Sequence, residues 1–157
     1  MLQQSVLGTM APGVPGDKAT LNPTAYTVHN PVAEGEGVTA GQFVWRGTDA
    51  ERQAKVGGAG QPLGLVERLL VYPGQCGGDS ATLVISAGQP LTVMKKGDMY
   101  VTTTTTATVG QKVFAVLATG AIATGAAGGT VSGAVETSWK VETAGQAGDI
   151  IAISNYD

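Results

Sequence analysis

The chain has 157 residues with a formal net charge of −3. Only 13% are Asp, Glu, Lys or Arg, and only 5% are aromatic. That length fits one domain, or one domain with an arm. So few charges, with no basic cluster larger than Lys95-Lys96, exclude nucleic-acid binding driven by phosphate neutralisation. No run of 18 apolar residues is present, so no membrane-spanning helix is expected. The lone Cys76 has no partner for an intrachain disulfide.

Residues 1–22 read as an extended arm, because Pro12, Gly13, Pro15 and Gly16 break regular structure. The arm lacks a basic n-region and a long apolar core, so no secretory signal is expected. It carries scattered apolar side chains, Leu2, Val6, Leu7 and Met10. These are candidate contacts for a neighbouring molecule, set against the plainer reading of a disordered terminus.

Residues 23–157 read as one β domain. Ala25–His29 is a first strand closed by Asn30-Pro31, and Phe43–Arg46 is a compact β run. Asp49–Lys55 gives no sustained apolar face. It reads as a short helical turn or as a connection into a strand near Gln53–Val56. Pro62–Tyr72 is a long strand candidate whose Glu67 and Arg68 interrupt the apolar face, so one side is expected to meet water or a partner.

The centre of the domain is Ala81–Ala123. Four β-type runs, Thr82–Ile85, Leu91–Met94, Met99–Thr103 and Lys112–Leu117, are separated by glycine-bearing turns. Short strands at this spacing point to an antiparallel sandwich or small barrel. The tract Thr102–Thr106 reads as a β-branched continuation of the strand through Tyr100, with a glycan- or ice-facing array as the less favoured alternative. Thr119–Gly133 is Gly/Ala-rich and almost featureless; with Ile122 as its main apolar side chain, it is a second candidate contact element. Glu136–Thr143 alternates as a strand, and Ile150–Ile153 is a buried final one. The expected core is Val44, Leu65, Val93, Val101, Val113, Val116, Val141 and Ile151, the apolar centres of their runs.

The sequence offers little chemistry. His29 is the sole histidine, and neither it nor Cys76 has carboxylates at metal-ligand spacing, so no metal or cofactor is expected. No GxSxG or comparable nucleophile context accompanies His29. Gly57-Gly58-Ala59-Gly60 lacks the Lys-Ser/Thr of a phosphate loop. An enzyme is therefore the least supported class. Low charge, many glycines and few aromatics instead suit a domain that gains stability by assembly.

The motifs VTAGQFVWRGT, GQPLGLVER, AGQPLTVMKKGDMYV, VGQKVFA and AGDIIAISN together resemble the structural cement, or head decoration, proteins of tailed bacteriophages. The corresponding elements are Gly64-Leu65-Val66, Lys96–Val101, Val109–Val113 and Ile150–Ile153. The resemblance implies a virion protein, made in the host cytoplasm, that binds the outside of the assembled shell at junctions between major capsid proteins and stiffens it. It implies no catalytic residues, and self-association into a homo-oligomer is expected. A carbohydrate- or cell-surface-binding β module of a spike or tail accessory is the alternative; it would need exposed aromatics.

Overall fold

A computed structural model describes residues 13–69 and 83–156. The described chain is all β, with no helix. In order, its strands are β1 (Ala25–Tyr26), β2 (Val32–Ala33), β3 (Val38–Thr39), β4 (Phe43–Arg46), β5 (Gln53–Lys55), β6 (Gly64–Val66) and β7 (Val84–Ile85), followed by β8 (Val93–Lys96), β9 (Asp98–Thr102), β10 (Lys112–Val116), β11 (Ile122–Gly125), β12 (Ala134–Val141) and β13 (Ile150–Ser154). A six-stranded sheet has the order β1-β8-β6-β4-β5-β2, a five-stranded sheet the order β11-β10-β12-β13-β9, and β3 pairs with β7 alone. The pairings are antiparallel except for parallel β2–β5. None of the sheets closes into a barrel, so the sandwich is the alternative realised.

Strand alternation explains the layering. Successive side chains point to opposite faces. Phe43, Trp45, Leu65 and Met94 therefore enter one core, shared with Met99, Val101, Val113, Trp139, Ile151 and Ile153 of the five-stranded sheet. Their neighbours Val44, Val66 and Val93 enter a second core with Ala33, Val38, Ile85 and Leu91. The six-stranded sheet is thus apolar on both faces and lies between two cores. This is why β4 and β6 read as continuous apolar runs rather than clean alternations.

Of the expected core residues, Val44, Leu65, Val93, Val101, Val113, Val141 and Ile151 are buried. Val116 is only half-buried, because it lies at the end of β10 where the turn to β11 begins. Among its described residues the Pro62–Tyr72 run forms a strand over Gly64–Val66; its last three residues lie outside the described ones. Cys76 and Thr82 also lie outside. The region around residue 51 is a turn feeding β5, not a helix.

The Gly/Ala-rich segment holds β11, which pairs with β10 from Lys112↔Gly125 to Ala115↔Ile122. Ile122 is 1% exposed and belongs to the main core. Its expected place at a contact surface is corrected accordingly: β11 is an edge strand whose apolar side chain turns inward.

The threonine tract is more than a strand continuation. β9 ends at Thr102, and the following residues cross to the opposite edge of the same sheet. There Thr103 bridges Ile122, and Thr104 donates to the Ile122 carbonyl from both its backbone N–H and its hydroxyl, each at 2.8 Å. The Thr105 hydroxyl lies 2.9 Å from that of Thr124 and accepts from the Thr124 N–H. Thr124 Oγ1 donates to the Thr106 carbonyl at 3.0 Å. Hydroxyls that both donate and accept close this seam, where a regular ladder would need another strand.

Candidate interaction surface

The leader is the first element to build, because its second half is laid on the body. The Gly16 N–H donates to the Tyr100 carbonyl at 2.8 Å, the Tyr100 N–H to Asp17 at 2.9 Å, and the Ala19 N–H to Asp98 at 3.1 Å. Lys18 faces Met99 in an antiparallel bridge. The leader thereby covers the β9 edge, which would otherwise present unpaired backbone groups. Gly16 has φ +93°, and a methyl there would meet Ala40 and Arg68 at about 3 Å, so glycine is required for this approach.

Two ion pairs clamp the same segment from the other side. Arg68 donates from Nε and Nη2 to the two carboxylate oxygens of Asp17 at 2.8 and 3.0 Å. Lys18 Nζ lies 3.7 Å from Glu67 Oε1 and 5.5 Å from the centroid of the Tyr26 ring. The Asp17 hydrogen bond holds the Arg68 guanidinium above its ordinary pKa. Lys18 is raised first by Tyr26, against the opposing effect of burial, and further by Glu67. Glu67 itself is buried, so the charged interruption in the Pro62–Tyr72 run meets the chain's own leader.

Asp98 completes the anchor. One carboxylate oxygen accepts from Thr20 Oγ1 at 2.5 Å and from Asn22 Nδ2 at 2.8 Å. Burial pushes its pKa up, but hydrogen bonds from Thr20, Ser154 and Asn22 outweigh this and hold it below the ordinary carboxylate value. Residues 13–22, expected as part of the arm, are thus bonded to the body of the β domain. Leu2, Val6, Leu7 and Met10 lie outside the described residues.

Other candidate groups do not assemble. His29 is exposed, in a recess lined also by Asn30, Val32, Glu51 and Arg52. No three His, Cys, Asp or Glu side chains among the described residues could hold one metal ion. Trp45 and Trp139 are 4% and 2% exposed, and the Trp45 indole N–H donates to the Gly60 carbonyl. Neither indole offers a stacking face to a sugar. Leu21 and Val28 are fully exposed aliphatics, but single exposed aliphatics are ordinary on a protein surface.

These features define an all-β sandwich whose leader is bound into the sheet edge. More particularly, the XM1 gp53 minor capsid protein family model matches residues 2–155, and the chain belongs to that family of phage capsid-associated proteins. A chain from the structure entitled "The capsid of Myoviridae Phage XM1" superposes with a TM-score of 0.67 at 17% identity, covering 99% of this chain and 98% of that one. At that identity the likeness speaks to the fold. No curated protein matches the sequence.

Proposed function

We propose that the protein is a capsid cement subunit, bound to the outside of the assembled shell and stabilising it by contact with the major capsid protein. Membership of the minor capsid protein family supports a structural role in the virion. The observation that carries the finer reading is the anchored leader. Residues 1–12 are tethered at Gly13 to a segment bonded to β9 and clamped by Arg68. A short apolar arm held at a fixed corner reaches a neighbour with less loss of freedom than one hung from a free terminus. Leu2, Val6, Leu7 and Met10 are its contacts, and self-association multiplies weak contacts over a closed shell. The burial of Trp45 and Trp139 takes both indoles away from the glycan-binding alternative.

The test is addition of the purified protein, whole or lacking residues 2–10, to undecorated shells, with occupancy read by reconstruction of the particles. The shortened chain should keep its melting temperature and lose most of its occupancy. Full occupancy would overturn the arm, and density for the whole protein on the inner surface would overturn the cement reading.

A further inference from the structure

The outer end of the six-stranded sheet carries a groove of about 500 Å³, within the size range of ordinary ligand clefts. Arg46, Lys55 and Lys95 line it, over an apolar floor of Trp45, Pro62 and Leu63, with no acidic residue in its wall. Three of the chain's nine Lys and Arg residues thus meet in one groove of a protein with net charge −3. Strand register brings them there: Trp45 pairs with Lys55 across β4–β5, and Lys95 follows Met94, the partner of Leu65.

Among the described residues, none of the three cations forms an ion pair with a carboxylate. Arg46 Nη1 donates to the Ala50 carbonyl at 2.6 Å, which uses one of five guanidinium donors. The Glu34 carboxylate is held below its ordinary pKa first by hydrogen bonds from the Thr48 hydroxyl at 2.5 Å and N–H at 2.8 Å, and last by the charge of Lys55, with which it makes no close ion pair. A smaller recess of about 100 Å³ shares Arg46, Leu63 and Lys95 with the groove and also touches Thr27, Gln53 and one acid, Glu51.

We propose that this groove docks an extended, acidic polypeptide segment of a partner protein, a second contact separate from the leader. Carboxylates recruited by three cations would sit above an apolar floor that accepts their aliphatic stems, and the adjoining recess lets the segment run on past Arg46. Single-stranded nucleic acid fits less well. Its bases need aromatic faces to stack on, and Trp45, the aromatic residue of this wall, is buried with its N–H committed to Gly60.

The experiment titrates the isotope-labelled full chain with a hexaglutamate peptide, a hexaglutamine peptide and an oligothymidylate of equal length, following amide shifts. Hexaglutamate should shift residues around Arg46, Lys55, Gln61 and Lys95, bind at least tenfold more tightly than hexaglutamine, and weaken steeply with salt. The variants Lys55→Gln/Lys95→Gln and Lys55→Glu/Lys95→Glu should weaken it about tenfold and more than that, respectively. Shifts spread evenly over the other lysines, or equal binding of hexaglutamine, would overturn the site on the native chain whatever the variants do. Tighter binding of the oligothymidylate in the same groove would overturn the choice of a polypeptide ligand.

Discussion

Arg68 holds Asp17 with two parallel hydrogen bonds across 51 residues of sequence, and so fastens the leader to the end of the β6 segment. Both side chains are partly exposed, so the pair is screened and its removal should cost only about 1 kcal/mol. Arg68→Lys keeps the charge and loses the fork. It should lower the melting temperature slightly and make the chain near residue 17 markedly easier to cleave by protease. The exchange Asp17→Arg/Arg68→Asp should restore part of the protection. Unchanged cleavage in Arg68→Lys would detach the leader from this contact.

Gly120 tests whether the Gly/Ala-rich segment is part of the fold. Its φ is +71°, and a methyl there would lie 2.1 Å from the Phe43 carbonyl oxygen, beside the bond from the Phe43 N–H to the Gly120 carbonyl. Gly120→Ala should cost above about 3 kcal/mol, from backbone strain plus overlap with unyielding backbone. Gly110 has φ +88° but open space around it, so Gly110→Ala should cost about 1–2 kcal/mol. Denaturant melts of the two variants decide; equal costs would mean β11 is not docked as described.

A matched pair of core truncations checks the register. Leu65 is fully buried, and Leu65→Ala should cost about 2–5 kcal/mol by lost transfer energy plus a cavity. Val116 is half-buried at the end of β10, and Val116→Ala should cost about 1 kcal/mol or less. The reverse order in urea melts would shift β10 by one residue and exchange its faces.

Asp98 gives the pH dependence its sign. Its folded pKa is held below the ordinary value of 3.8, so the folded state binds fewer protons than the unfolded one in that range. Its contribution to stability is complete above the unfolded value and is lost as pH falls from there through the depressed one. Melting temperature should therefore drop on acidification through and below pH 4. Asp98→Asn should be less stable at neutral pH and flatter on the acid side. An acid limb as steep in the variant as in the native chain would assign that limb to other groups.

How much of this was legible depended on whether the cause was local. Phe43–Arg46, Lys112–Leu117 and Ile150–Ile153 announce themselves because β-branched and aromatic residues sit between glycine turns, and strands form there to within a residue at each end. β2 and β3 pass unread: two residues each, they become strands only by pairing with β5 and β7, far along the chain. The threonine hydroxyls likewise have their meaning in partners at residues 122 and 124. The leader did carry a signal. Asp17-Lys18 and Glu67-Arg68 are two adjacent opposite-charge pairs in a chain with few charges, and the fold joins them crosswise. Complementary dipeptides are too common to identify a contact by themselves; the backbone bonds to β9 settle it.

The direction in which the leader joins the sheet has a mechanical consequence. Residues 16–19 run antiparallel beside β9, held by successive backbone bonds at Tyr100 and Asp98. A tug applied through Gly13 along that strand loads those bonds together, in shear, and carries the tension on to Arg68 and across to the six-stranded sheet. A tug at right angles would peel them one after another. Force arriving at Gly13 along that strand therefore meets the attachment on its strong axis, and the joint yields most readily to a force lifting the leader away from its own sheet.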